Sequence, residues 1–241
     1  MGYHLVMKNL QILFAAVVLA ISSGAVATAE KPLTVVELYT SQGCSSCPPA
    51  DAYLAELADK KGLLPLSFHV DYWNYLGWED PYSSAVYSKR QNDFARYFDA
   101  RNVYTPQMVI QGVHQVVGSN RSEVKRAIKA VRSLPQIDLT LAPGNGGATL
   151  SLPAAKAPVE ANVFVVMYDD EHFTAVRRGE NRGKKIRNRN VVRDLQHITT
   201  WTGEATEIAI SYGGRDAKKG AVLVQSATTG AILGAAVFTV N

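Results

Sequence analysis

A chain of 241 residues is long enough for one large domain or two ordinary ones, each with its own hydrophobic core. Its formal net charge is only +4, and it contains two cysteines. A scaffold built on several disulfides is therefore excluded, because one intrachain bridge is the maximum.

The first 29 residues have the pattern of a cleavable export signal. Lys8 gives a positive start, residues 10–21 are apolar, and small residues at positions 27–29 form a cleavage site. Twelve apolar residues are too few to span a bilayer, and no later segment is apolar enough, so we predict no stable membrane span. We expect a periplasmic or secreted protein with a mature net charge of +3, since Lys8 leaves with the signal.

The two cysteines lie between a predicted strand, Val35–Tyr39, and a predicted helix, Ala50–Lys60. The first turn of a helix has unpartnered N–H groups and partial positive charge, both of which stabilise a thiolate. The pattern therefore predicts a nucleophilic Cys44, with Cys47 placed to attack any mixed disulfide that Cys44 forms.

A structural disulfide and a zinc site are the competing interpretations of this pair. Closing a four-residue loop contributes roughly 2 kcal/mol, against ~4–5 kcal/mol for a loop of 100 residues, so a purely stabilising bridge at this spacing gains little. No second cysteine pair or histidine pair completes four zinc ligands. A C-x-x-C after a strand and before a helix favours redox chemistry.

The following segments alternate between strand and helix patterns. We predict a strand at 63–70 parallel to the first strand, a helix at 83–98, strands at 107–111 and 113–117, and a third helix that Asn120 caps and Pro135 ends. An aromatic loop follows the second strand and contains Tyr72, Trp73, Tyr75 and Trp78. These rings could pack as a lid, or they could form a groove that suits an unfolded or peptide substrate, with Trp73 as a binding residue.

This order, with a C-x-x-C pair and a proline opening the third strand, resembles the thioredoxin fold. Three phrases, at residues 37–51, 69–73 and 104–109, are similar to those of a family of secreted bacterial thioredoxin-like proteins with a C-S-S-C-P-P motif. That family carries only a domain-of-unknown-function label. The resemblance extends through Arg178–Asn181 and Asn190–Arg193, and so covers nearly the whole mature chain.

The resemblance implies a role for each of five residues. Cys44 would be the attacking thiol and Cys47 the resolving one, while Pro106 would be a cis-proline facing them and Thr105 would pair its backbone with a substrate peptide. Glu37 would be the buried acid that shuttles a proton to Cys47. A strand-edge salt bridge is the alternative role for Glu37.

His69, at the end of the second strand, is expected near the cysteine turn, because ligands of open α/β sheets collect at that edge. It could stabilise a thiolate, or bind copper or zinc together with Cys44 and Cys47. The alternative is a partly buried histidine bonded to a backbone carbonyl. No cofactor is expected.

Beyond Pro135 the pattern changes to seven short strands without a convincing helix. We therefore predict an α/β, thioredoxin-like domain at 30–135 followed by an all-β, sandwich-like domain at 136–241 that serves for support or partner recognition. His172 and His197 are isolated in this half and are expected to be structural.

Eight cations and a single acid, Glu180, lie between Arg177 and Arg193. In a cytosolic protein this run would suggest nucleic acid, but the predicted export argues against that partner. A solvated hairpin, an anionic cell-envelope surface and an acidic partner remain as interpretations.

The sequence thus predicts an exported thiol–disulfide oxidoreductase that acts on protein or peptide thiols and disulfides and that cycles with an unidentified redox partner. A metal-binding or metallochaperone module that uses Cys44, Cys47 and His69 is the second hypothesis. A non-catalytic adaptor with a structural disulfide is the third.

Overall fold

The computed structural model describes residues 32–144, 146–211 and 217–240. The predicted signal over residues 1–29 lies outside these ranges. The described residues form three α-helices, a short 3-10 turn at Asn74–Leu76 and eleven strands. The helices are α1 (Pro48–Ala58), α2 (Ala85–Tyr97) and α3 (Arg121–Val131). The strands are β1 (Thr34–Thr40), β2 (Leu63–His69), β3 (Gln107–Ile110), β4 (His114–Val117), β5 (Thr140–Gly144), β6 (Gly147–Leu152), β7 (Ala161–Ala175), β8 (Lys185–Trp201), β9 (Thr206–Ser211), β10 (Lys219–Ser226) and β11 (Ile232–Thr239).

The local order predicted for the first half is confirmed: strand, helix, strand, helix, two strands, helix. β1 and β2 pair in parallel, as the intervening helix requires, and β1 also pairs with β3 antiparallel. The predicted cap of α3 is present, because the side-chain oxygen of Asn120 accepts the Glu123 N–H at 3.3 Å.

The fold class predicted from the sequence is wrong. The protein is mostly β, with 43% of its described residues in strands and 19% in helices. Strands from both halves form one mixed eight-stranded sheet in the order β11-β10-β7-β8-β2-β1-β3-β4, so a thioredoxin-like α/β domain is not followed by a separate sandwich. Only β5, β6 and β9 form a second, three-stranded sheet.

The junction between the two halves is the parallel pairing of β2 with β8, at Ser67 and Val191. The Asn190 side chain reinforces it by donating to the carbonyl of Pro65 at 2.8 Å. From this junction β8 continues into a long antiparallel hairpin with β7. The edge of β2 that does not pair with β1 is therefore covered by β8, which lies more than a hundred residues further along the chain.

Both faces of the large sheet are covered, which explains why every residue of β1 is buried. α1 and α3 pack on the face that carries Val36 and Leu38 of β1. α2 packs on the opposite face, where its cluster includes Val166 and Tyr168 of β7. The alternate β7 residues, such as Val165, pack against the three-stranded sheet, which therefore lies on the face away from α2.

Within residues 32–144, 146–211 and 217–240, no helix combines the length and apolar character that crossing a membrane requires.

Candidate functional site

The two cysteines form a disulfide at the N-terminus of α1. Cys47 is the N-cap residue, and Pro48 and Pro49 occupy the first helical positions, which suit proline because no N–H partner is available there. The carbonyl of Cys47 accepts from the N–H groups of Ala50 and Asp51, at 2.8 and 3.1 Å. Cys44 retains 4% of its surface and Cys47 none, so Cys44 is the outer member of the pair.

The loop before β3 lies against Cys44. The Thr105–Pro106 peptide bond is cis, as the resemblance implied. The Thr105 hydroxyl donates to the sulfur of Cys44 over 3.2 Å, and the indole N–H of Trp73 donates in turn to that hydroxyl oxygen over 2.8 Å. Because the Thr105 oxygen accepts from Trp73, its own hydrogen is directed towards the sulfur.

A second hydroxyl also contacts the outer sulfur, since the Ser46 oxygen lies 3.3 Å from the Cys44 sulfur. Four residues that the sequence singled out, Cys44, Cys47, Thr105 and Trp73, are therefore brought together, with Pro106 buried beside them. Two hydroxyls aimed at one sulfur can donate to a thiolate when the disulfide opens.

The tip of the β7–β8 hairpin holds the cysteine turn from the other side. The buried side-chain amide of Asn181 donates to the carbonyls of Gln42 and Cys44, at 3.0 and 2.8 Å. The Glu180 carboxylate accepts the Ser45 N–H at 3.1 Å. Gly179 has a φ of 71°, and a Cβ there would lie 3.1 Å from the Cβ of Trp78, so glycine permits this close approach.

Gln42, which is fully buried, ties the turn to three other parts of the chain. Its side-chain nitrogen donates to Thr174 and Asn188 of the hairpin, each at 3.0 Å, and its side-chain oxygen accepts from the indole of Trp78 at 3.2 Å. Its backbone N–H donates to Asp80 at 2.7 Å. Sequence reasoning missed Gln42 and Asn181 as site residues, although both lie within the phrases that carried the resemblance.

A buried group of titratable side chains lies behind the disulfide. The Nδ1 atom of His69 is 2.7 Å from the Asp80 carboxylate, and both side chains are inaccessible to solvent. Burial lowers the pKa of His69, but the charges of Asp80 and Asp51 and the hydrogen bond to Asp80 outweigh it, so the pKa is raised. The pKa of Asp80 is lowered, because His69 and two backbone N–H donors outweigh its desolvation.

Asp51 belongs to the same group and lies one helical turn after Cys47. One of its oxygens accepts from the Thr40 hydroxyl at 2.8 Å, while the other is buried without a hydrogen-bond partner among the described residues. Burial raises the pKa of Asp51 to about 7, partly offset by the charge of His69 and the bond from Thr40. The sequence analysis did not select Asp51, because an aspartate in the first turn of a helix is also an ordinary dipole-stabilising residue.

Glu37 lies on the opposite side of the sheet. Its neighbours Val35 and Tyr39, which share its face of β1, pack in the cluster of α2, whereas α1 packs on the other face. Its carboxylate accepts two hydrogen bonds from Arg90, each of 2.7 Å, and one from the Tyr39 hydroxyl of 2.9 Å. A salt bridge is therefore present at Glu37, but it is buried inside the sheet and not at a strand edge.

His69 has one engaged ring nitrogen, because its Nε2 atom is buried without a hydrogen-bond partner among the described residues. Its Nδ1 atom faces Asp80, and the two sulfurs are bonded to each other. In the part of the chain that the structure describes, no three histidine, cysteine, aspartate or glutamate side chains are grouped to hold a metal.

The chain is similar to two solved structures. An X-ray crystal structure of an Agrobacterium tumefaciens protein is 30% identical, with a TM-score of 0.76 over 88% of this chain and 97% of that one. HBP35 of Porphyromonas gingivalis is 12% identical, with a TM-score of 0.54 over 87% of this chain and 76% of that one, and so shares the fold alone. No curated protein matches the sequence. Residues 35–225 match the profile described as "Protein of unknown function (DUF1223)", and the chain therefore belongs to the DUF1223 family.

Proposed function

We propose that this protein is an exported thiol–disulfide oxidoreductase that exchanges its Cys44–Cys47 disulfide with cysteines of proteins or peptides. The observation that carries the proposal is the contact between Thr105, which precedes the cis Pro106, and the sulfur of Cys44. A bridge that served stability alone would need no oriented hydroxyl on one of its sulfurs. A site of this kind is what the resemblance to thioredoxin-like proteins implied.

Exchange proceeds in two balanced steps. A substrate thiolate attacks the Cys44 sulfur, so that a mixed disulfide forms and the bond to Cys47 breaks with Cys47 leaving as a thiolate. A second thiolate of the substrate then attacks the substrate sulfur that is bonded to Cys44, which forms a substrate disulfide and releases Cys44 as a thiolate. The substrate loses two electrons and two protons, and the cysteine pair gains them. The reverse sequence reduces a substrate disulfide, and a second dithiol or disulfide protein returns the pair to its starting state.

Three features support Cys44 as the sulfur that substrates reach. It is the only one of the two with residual exposure. Its sulfur accepts a hydrogen bond from the Thr105 hydroxyl and lies beside the Ser46 hydroxyl, and both hydroxyls would stabilise the Cys44 thiolate in the reduced state. It also precedes α1, so the helix dipole favours a negative charge at this point.

Asp51 is our candidate for the proton acceptor of Cys47. Residues four apart in a helix share one face, so Asp51 lies behind Cys47, and its unbonded oxygen is available for a proton. Its pKa of about 7 makes it ionisable near neutral pH. Glu37 is held by Arg90 on the other face of the sheet, which makes it the weaker candidate for this role.

The first test traps the mixed disulfide. Cys47→Ser should accumulate a covalent complex with a peptide disulfide: the Cys44 thiolate attacks one peptide sulfur, the other leaves as a thiolate, and no resolving sulfur is present to release the bound peptide. Cys44→Ser should accumulate far less, since Cys47 is fully buried. Non-reducing electrophoresis and intact-mass measurement report the amount of covalent complex in each variant. Equal trapping by the two variants would contradict the assignment of roles.

The second test removes the Thr105 hydroxyl. Thr105→Val should raise the pKa of the Cys44 thiol in the reduced protein by about one unit, because a hydrogen bond to a charged group is worth ~1.5–3 kcal/mol and one pKa unit corresponds to ~1.4 kcal/mol. The pH dependence of alkylation by iodoacetamide measures the change. Ser45→Ala, in the same turn, is the control and should leave it unaltered. An unchanged pKa in Thr105→Val would show that the contact has no chemical effect.

The third test concerns Asp51→Asn. An acid whose pKa is raised on folding is protonated in the folded but not the unfolded protein between about pH 4 and 7, so its cost to stability grows through that window and is complete above it. The variant should therefore be more stable than the wild type at pH 8, by on the order of 1.4 kcal/mol per pKa unit removed, with the difference vanishing towards pH 4.

The same variant should resolve mixed disulfides at least ~10-fold more slowly at pH 8, because Cys47 loses its acceptor. In the wild type that rate should fall as the pH drops below about 7, where Asp51 becomes protonated. Asp59→Asn, at the exposed end of α1, is the control for both measurements. Stabilisation without slower resolution would remove Asp51 from the mechanism.

A further inference from the structure

The eight cations between Arg177 and Arg193 divide into those that contact a partner side chain and those that do not. Five of the eight have a partner. Arg187 pairs with Glu171, Arg189 with Asp170 and Asp59, Arg193 with Asp169, Lys184 with the side-chain oxygen of Asn181, and Lys185 lies over the ring of Phe173. The remaining three, Arg177, Arg178 and Arg182, are exposed and have no ion-pair partner among the described residues. We call these three the arginine rim.

The arginine rim lies at the cysteine turn rather than along the hairpin. Arg178 and Arg182 each lie two positions from Glu180, whose carboxylate holds the Ser45 N–H, and the intervening Asn181 holds the carbonyl of Cys44. Consecutive Cα atoms are ~3.8 Å apart, so these guanidinium groups extend from backbone beside the disulfide. A solvated hairpin face would not by itself concentrate its unpaired charges at this end.

The charge of the tip is also uncompensated. Residues 177–185 contain five cations and one acid, a net charge of +4 in a chain whose whole formal charge is +4. The one acid, Glu180, is engaged with the cysteine turn. A molecule that approaches the Cys44 sulfur therefore passes a positive potential, which attracts anionic groups over about a Debye length.

We propose that the arginine rim selects acidic protein segments, so that the substrates of this site carry Asp or Glu beside the reacting cysteine. This inference rests on the proposed function. An extended acidic segment can contact the rim and still present its sulfur to Cys44, beside the exposed ring of Tyr75, which stacks on the half-buried ring of Trp73. A flat anionic membrane bound to the same tip would instead cover the cysteine turn, so the geometry favours a polypeptide.

The test uses the full mature chain and two peptide dithiols that differ only in having aspartate or lysine beside their cysteines. The measurement is the rate at which each peptide reduces the Cys44–Cys47 disulfide. The reaction is quenched at intervals, and the reduced fraction of the protein is determined by mass spectrometry. At low ionic strength the acidic peptide should react at least ~10-fold faster, which is the lower end of electrostatic steering, and the ratio should approach one near ~0.5 M salt.

The variant R177E/R178E/R182E should invert the preference. Its matched control is K125E/K129E/R132E, which makes the same change of charge on α3, where these residues line a surface with the C-terminal half of α1, away from the cysteines. The control should keep the preference for the acidic peptide. At ~0.5 M salt, where the charge of the attacking thiolate is screened from the rim, both variants should react with dithiothreitol at the wild-type rate.

Equal rates for the two peptides, or an equal loss of preference in both variants, would overturn the acidic-substrate inference and leave the proposed function standing. A disulfide that neither the peptides nor dithiothreitol reduce would overturn both. Binding to phosphatidylglycerol vesicles that R177E/R178E/R182E abolishes, together with equal peptide rates, would assign the rim to a membrane surface and contradict the inference.

Discussion

The geometry of this site depends on two hydrogen bonds from the buried amide of Asn181 to the carbonyls of Gln42 and Cys44. These carbonyls belong to a turn between β1 and α1. The Cys44 carbonyl also accepts the Cys47 N–H at 3.3 Å, whereas the Gln42 carbonyl has no second donor among the described residues. A buried carbonyl without a partner costs ~1–3 kcal/mol, so withdrawal of the hairpin tip would leave the Gln42 carbonyl unsatisfied and favour rearrangement of the turn. The position of the Cys44 sulfur therefore depends on a residue more than 130 positions away in the chain.

This dependence gives the long β7–β8 hairpin a physical purpose. It is anchored on β2 through Ser67 and Val191, and it then extends to the cysteine turn, where Gln42 also donates to two of its side chains. The second half of the chain is thus part of the wall of the site. A turn held on one side by Asn181 and on the other by the Thr105 loop presents a fixed sulfur, which favours reaction with substrates of complementary shape and charge.

Two buried acids illustrate how environment assigns roles to the same chemical group. Glu37 is neutralised by a bidentate contact with Arg90, itself buried and bonded to Gln225 of β10 at 3.1 Å, so this ion pair joins both halves of the chain. Asp51 has no cationic partner other than the electrostatic influence of His69, and burial leaves it titrating near neutral pH. Asp51 is therefore the acid that our proposed exchange mechanism uses.

The sequence predicted what local interactions determine. The helix and strand order of the first half, the parallel pairing of β1 with β2 and the Asn120 cap follow from periodicity and capping residues, and the structure confirms them. It did not predict that β8 would pair with β2, because a single parallel contact between distant segments leaves no local pattern. Asn181 was missed for the same reason. Its partners are backbone carbonyls of a remote turn, and an asparagine between Gly179 and Gly183 has the local pattern of a hairpin turn.

The reduction potential of the Cys44–Cys47 pair tests the central claim most directly. It is obtained by equilibrating the protein against glutathione or dithiothreitol buffers and quantifying the free thiols by mass. A pair that exchanges with substrates should have a potential between about −270 and −120 mV, the range of known exchange proteins. A potential below about −300 mV would mark a bridge that the thiol pool leaves intact, and would contradict the account.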